Sequence, residues 1–236
     1  GLFNAGYMMT MTYVGMVFSA METDYFPRLS GIQKLGTQLN ETVNHQMEVS
    51  LLLVAPLLVF FIMGLPVLLP LLYSGKFLPV MGMMKATIIA MYFRALSLPM
   101  EYIALSRSDS RTYLVLELIY DVMAAVLIIV FYNRYGLTGT GYGLLLAVVV
   151  NFFIVLVYTR FKYGFSPSAA IKSYTLVQVP IGVAAVVLGM SFTGPVYWVA
   201  GASLGLLSLA ISLRILHSKA HLWDSITRKF VGRFKP

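Results

Sequence analysis

The run Leu51-Leu52-Leu53-Val54-Ala55-Pro56-Leu57-Leu58-Val59-Phe60-Phe61 has no polar side chain and no alternation of apolar with polar residues. The strands of a membrane β-barrel alternate with a period of two, so this run reads as helix; lipid leaves no partner for an unpaired backbone group. With its flanks it extends over Ser50–Leu72, and about 20 apolar residues cross a hydrocarbon core ~30 Å thick. Six further stretches of this kind lie near Phe3–Met21, Gly82–Leu105, Tyr113–Tyr132, Thr138–Tyr158, Tyr174–Phe192 and Val196–Leu216. The expected fold is all-α, a polytopic transmembrane helix bundle of about seven spans. Residues 1–222 read as one transmembrane lobe and 223–236 as a basic tail. The composition agrees: 59% of residues are hydrophobic and 11% charged, whereas soluble domains are about a quarter charged.

The net charge of +8 would suit nucleic acid, but its distribution excludes that reading. With the tail inside, the inner connections hold Arg28, Lys34, Arg107, Arg111, Arg160, Lys162 and Lys172, and Arg214, Lys219, Arg228, Lys229, Arg233 and Lys235 lie at the inner end or in the tail. Outer connections hold Lys76, Lys85 and Arg134. This is the positive-inside pattern, and it puts the C-terminus in the cytoplasm, the tail resting on anionic headgroups. An odd number of spans then places Gly1 outside, which implies at least one span upstream.

The first span is the most polar, with Asn4, Tyr7, Thr10, Thr12, Tyr13 and Ser19, and is expected to face other helices or a wet cavity. Pro27 should end it. The longest connection runs from Leu29 to about Val49; within it Val43 and Met47 are four apart among polar residues, which predicts a short interfacial helix. Pro56, Pro66 and Pro70 should bend the second span. Ser106-Arg107-Ser108-Asp109-Ser110-Arg111 makes spans three and four antiparallel neighbours. Spans six and seven carry no charge in their interiors and read as lipid-facing, with Gly201 and Gly205 as a small contact face.

Four ionisable residues lie where each costs about 2.5–3.5 kcal/mol to insert. Arg94 and Glu101 are two turns apart on one face of span three; Glu117 and Asp121 are one turn apart on span four. At 1.5 Å per residue, Glu101 and Glu117 lie on the order of 8 Å from the Arg107–Arg111 turn, and Arg94 and Asp121 roughly 15–20 Å from it. Arg94 and Asp121 are therefore expected to pair across the helices, with Glu101 level with Glu117. Such charge marks a water-accessible pathway. Arg94 suits a phosphate or carboxylate, which it can grip bidentately; Asp121, Glu117 and Glu101 suit proton or cation coupling, or a buried ion pair. Asn4, Tyr7 and Asn151 are further candidate substrate contacts, although hydrogen bonding between helices would itself explain Asn151. No cysteine is present. His45, His217 and His221 have no ligand spacing, so neither a metal nor a cofactor is expected. No nucleotide loop, nucleophile elbow or His-Glu-x-x-His motif occurs, and an enzyme is not expected.

The segment Gly1-Leu2-Phe3-Asn4-Ala5-Gly6-Tyr7, with Phe18-Ser19-Ala20-Met21-Glu22-Thr23-Asp24-Tyr25-Phe26-Pro27-Arg28-Leu29-Ser30, resembles the middle of bacterial polysaccharide flippases, the Wzx-type O-antigen translocases of the multidrug/oligosaccharidyl-lipid/polysaccharide exporter superfamily. Val43-Asn44-His45-Gln46, Leu72-Tyr73-Ser74-Gly75-Lys76-Phe77, Glu117 and Gly136-Leu137-Thr138-Gly139-Thr140-Gly141 continue the resemblance in order. It implies a protein of about fourteen spans in two lobes, this chain being the second. It implies movement of an undecaprenyl-diphosphate-linked oligosaccharide across the bacterial cytoplasmic membrane by alternating access. The implied partners are that lipid-linked oligosaccharide, membrane lipids, and a polysaccharide polymerase with other assembly proteins. The run Thr23-Asp24-Tyr25-Phe26-Pro27-Arg28-Leu29-Ser30 is the most specific piece; Asp24 and Arg28 within it and Glu22 just before it become a candidate cytoplasmic gate. Two rivals stay open: a multidrug/cation antiporter of the same superfamily, and a membrane enzyme of envelope polysaccharide assembly, against which the short outer connections weigh.

Overall fold

The computed structural model describes residues 1–73 and 75–231, and the side chains of all of these except Tyr13 and 220–231. Its elements are α1 (Leu2–Ser30), α2 (Thr37–Leu72), a 3-10 turn (Gly75–Val80), α3 (Met81–Ser106), α4 (Ser110–Tyr163), α5 (Ala169–Ser191) and α6 (Gly194–Val231), with no strand among the described residues. Five helices, all but α1, are long and apolar enough to cross a membrane. The fold is an all-α polytopic membrane bundle. The expected tail, 223–236, lies outside the described residues from 232 onward and in all its side chains.

Helix α4 holds two of the expected spans. Its 54 residues would reach about 80 Å if straight. Gly136, at φ 59° and ψ −143°, breaks it where a side chain would be strained, and the arms 110–135 and 137–163 fold back on each other. Gly143 packs so closely on the first arm that a Cβ there would sit 2.7 Å from the Leu127 carbonyl oxygen. At the open end the Thr112 and Tyr158 hydroxyls meet at 3.0 Å. The glycines after residue 135 thus serve one reversal, at Gly136, and several tight contacts, Gly141 packing on the Met83 backbone of α3.

Helix α3 is the central rod, packing on α1, α2, α4 and α5. The far side of the bundle is apolar and exposed, as at Leu118, Val122 and Ile129 on α4 and Leu176 and Val187 on α5. Between helices in lipid no hydrophobic drive operates, so small residues and hydrogen bonds hold the contacts. Gly201 and Gly205 of α6 let it close on Met63 and Phe60 of α2. Pro66 has no N–H to give the Ile62 carbonyl; the Tyr197 hydroxyl reaches that oxygen at 3.5 Å and the Met63 oxygen at 2.9 Å.

Four expectations are corrected. Helix α1 passes through Pro27 to Ser30, because a proline in the last turn costs a single ladder bond and Gly31 N–H still closes on the Pro27 carbonyl at 3.1 Å. The expected interfacial helix is the start of α2, continuous with the span, and the connection shrinks to residues 31–36. Its polar residues face protein: Asn40 and Asn44 accept the Ser166 and Ser168 N–H groups, each at 2.7 Å, and Glu48 meets Lys219. Lys85 is no outer-loop charge; it is buried in α3 and donates to the Gly189 carbonyl at 2.8 Å, at the negative end of the α5 dipole. Helices α5 and α6 are not purely lipid-facing, for Gln178 is fully buried and bonds Ser208 and Ser212.

The contacts sort the connections into two ends. Arg107 binds the Ile32 carbonyl, Asn40 the Gly164 carbonyl, Lys162 binds Asp109 and Lys219 binds Glu48, so these segments share one end. Most of the basic residues gather there.

Candidate functional site

Arg94 and Glu101, two turns apart on α3, meet directly: Arg94 Nη1 lies 3.2 Å from Glu101 Oε1. The same oxygen accepts from Asn151 Nδ2 of the second α4 arm at 3.0 Å. Glu101 is the more deeply buried partner, its side chain 6% exposed against 23% for Arg94. The first α4 arm runs antiparallel to α3 and presents Tyr113, Glu117 and Tyr120, at i, i+4 and i+7, to this pair. The Arg94 guanidinium carbon sits 5.7 Å from the Tyr120 ring centroid, within cation–π range. Glu101, Tyr113, Leu116, Glu117, Tyr120, Asn151 and Val155 enclose a cavity of about 10 Å³, the room of a single water.

On the other flank α1 packs on α3 but not extensively on α4. Tyr25 fixes it, its hydroxyl donating to the Pro99 carbonyl at 2.7 Å. Glu22, Leu98 and Tyr102 line a second cavity of about 10 Å³ between α1 and α3, and Tyr7 stacks on Phe3 at 5.8 Å. The half-buried strip Arg94, Leu98 and Tyr102 is thus the floor of a groove flanked by Glu22 of α1 on one side and by Tyr113, Glu117 and Tyr120 of α4 on the other. It combines one cation, carboxylates and several tyrosines, surfaces that hold anions, hydroxyls and sugar faces alike.

The expected Arg94–Asp121 pair does not form. Asp121 is at the expected level, but a helix turns about 100° per residue; Tyr120 takes the inward position and Asp121 is exposed. Asn151 is not free for a substrate, since it is buried and serves Glu101. Asn4 is exposed, one turn before Tyr7. Asp24 and Arg28 form an exposed i, i+4 ion pair at 2.8 Å, apart from the Arg94 cluster, while Glu22 joins the groove wall. Sequence reasoning missed Tyr102, Tyr113 and Tyr120; the i, i+4, i+7 spacing of Tyr113, Glu117 and Tyr120 was the available signal.

Outside the spans, Asp109 caps α4 through the Thr112 N–H at 3.4 Å, accepts the Tyr163 hydroxyl at 2.8 Å and pairs with Lys162. The Lys162 ammonium holds its carboxyl well below the usual carboxylate range, helped by Thr112 and Tyr163. This clasp joins the start and end of the α4 hairpin. Among the described residues no three or more His, Asp or Glu groups gather as a metal would require.

Residues 1–82 match a family described as "Polysaccharide biosynthesis protein". The matched part is α1, α2 and the turn into α3, the α1 wall of the groove included. No curated protein and no solved structure matches the chain. The apolar bundle and this similarity describe a multi-pass membrane protein similar to polysaccharide biosynthesis proteins.

Proposed function

We propose that this chain is one lobe of a flippase that carries an undecaprenyl-diphosphate-linked oligosaccharide across the bacterial cytoplasmic membrane by alternating access. The observation that carries the reading is the placement of Arg94. It is held at span depth by Glu101, yet stays partly accessible in a groove lined by tyrosines. A diphosphate cannot cross hydrocarbon unaided, and a guanidinium offers it charge-assisted hydrogen bonds. Tyrosine rings and hydroxyls suit the sugar, while the polyprenyl tail remains in lipid beside the groove. Nothing in this role requires covalent chemistry. The similarity of α1 and α2 to polysaccharide biosynthesis proteins supports the substrate class, and the gathering of basic residues at one end supports a cytoplasmic C-terminus.

The test is surface polysaccharide in cells carrying Arg94 variants of the full-length protein. Arg94→Ala is expected to abolish it, and Arg94→Lys, which keeps charge but loses the bidentate fork, to reduce it. Because Arg94→Ala also leaves Glu101 unpaired, the double variant Arg94→Ala/Glu101→Gln controls for stability: it should reach the membrane at normal level and still fail. Normal polysaccharide in that double variant would refute the role given to Arg94.

A further inference from the structure

We propose that the slot between α1 and α2 is a lipid site, taking one acyl chain of an anionic phospholipid whose phosphate rests at Lys76. Helix α1 is pinned near both its ends. The Tyr25 hydroxyl bonds the Pro99 carbonyl at 2.7 Å, and Gly6 lies so close to the turn before α3 that a Cβ there would sit 2.2 Å from Val80 Cγ1. Between these points a cavity of about 600 Å³ separates α1 from α2. Met9, Val14 and Met16 line it from α1, and Leu57, Phe61 and Leu72 from α2. Its floor is deep, with Met9 2% exposed, and its rim is open, with Met16 66% and Leu57 52% exposed.

No polar side chain lines the slot, so water is not held there, and an empty slot would leave its walls without dispersion partners. The solvent at span depth is hydrocarbon. The lining runs along α2 from Val54 to Leu72, about 27 Å at 1.5 Å per residue, which is most of a bilayer core ~30 Å thick. Spread over that length, about 600 Å³ leaves a section of about 20 Å², against about 80 Å² for a helix 10 Å across. That girth takes a single extended chain and excludes a further helix. Methionine, flexible and polarizable, suits a wall that must adapt to such a chain.

The two ends of the slot differ in charge. Helix α2 stops at Leu72. Just beyond, the Tyr73 and Phe77 rings lie 5.1 Å apart, with exposed Lys76 between them in sequence. Tyrosine marks the headgroup level, and a lysine ammonium there binds phosphate. At the opposite end, one turn past Val54, Ser50 and Gln46 join Glu22 of α1 around the cavity of about 10 Å³. Its carboxylate repels a phosphate, and its polar lining stops a chain. The headgroup therefore lies at Lys76 and the chain tip near Val54. Because Glu22 also flanks the Arg94 groove, a seated chain backs the α1 side of that groove. The site requires only that the bundle lie in lipid, and it holds for any cargo.

Full-length protein in phosphatidylcholine vesicles, with a rising fraction of phosphatidylglycerol carrying a diazirine on its acyl chain, tests this. After irradiation the labelled residues are mapped by mass spectrometry. Labelling of Met16, Leu57 and Phe61 should saturate as the fraction rises and exceed, several-fold, that of Val122 on the lipid face of α4, which should climb in proportion. Lys76→Glu, and separately Leu57→Trp, which fills the slot, should each lower labelling of Met16 and Phe61 several-fold and leave Val122 as it was. Both positions are exposed, so neither change disturbs the core. Slot labelling that climbs in proportion like that of Val122, that is indifferent to either substitution, or that is absent because another part of the full-length protein covers the slot, would overturn the proposal. None of these results touches the flippase reading, which the polysaccharide test decides.

Discussion

Arg94 reaches Glu101 through one guanidinium nitrogen, at 3.2 Å, and the carboxylate is the better buried of the two. Breaking a buried pair from one side costs about 3–5 kcal/mol, because the survivor is left uncompensated, whereas replacing both partners can be nearly neutral. Purified Arg94→Ala should therefore unfold at lower denaturant or temperature by an amount in that range, and Arg94→Met/Glu101→Leu should regain most of the loss; equal losses in the two would mean that the pair is not coupled. Asp121 makes the contrasting case. It stands one residue past Tyr120 and faces outward, so Asp121→Asn should leave surface polysaccharide unchanged. Depth along a helix follows from counting residues at 1.5 Å each, which is why the levels of all four charges were legible. Azimuth was not, because one residue of phase error moves a side chain from the seam to the surface.

At the scale of the elements, the α4 hairpin rests on a reversal at Gly136 and a tight contact at Gly143. Gly143→Val should force the arms apart against the Leu127 backbone and lower the melting temperature, whereas Gly15→Ala, with open space around it, should not. The Asp109 clasp closes the other end of the hairpin. Its carboxyl is held below the usual range, so its contribution is complete above the unfolded value of about 3.9 and is lost only as pH falls from there through the folded value. Hairpin stability should be flat with pH through mild acid, and Asp109→Asn should lower it at neutral pH; a wild-type loss in mild acid that Asp109→Asn abolishes would contradict the clasp. The long apolar runs made each helix recognisable. The misread element was the start of α2, where Asn40, Asn44 and Glu48 resemble solvated residues in sequence but spend their hydrogen bonds on residues 164–168 and Lys219. Partners more than 100 residues away in the chain leave no local signal.

Across the whole molecule, an apolar exterior surrounds a polar seam that α1 and α4 leave open along α3. The bundle was legible because lipid imposes one rule on every span. The groove was not, because its floor and two walls come from three helices and its tyrosines are ordinary membrane-helix residues when read singly. Lys85 and Gln178 show the same limit, each being a buried polar group whose partner, Gly189 or Ser208, lies on another helix. The central claim is that the seam is the wet path of the lipid-linked sugar. This chain has no cysteine, so single replacements label cleanly where the full-length protein is likewise free of cysteine or made so. With a charged, water-soluble maleimide, Leu98→Cys on the groove floor should react and be protected by lipid-linked oligosaccharide, while Val122→Cys on the lipid face should stay unlabelled. Leu98→Cys as inert as Val122→Cys, or labelled without protection by the lipid-linked sugar, would contradict it.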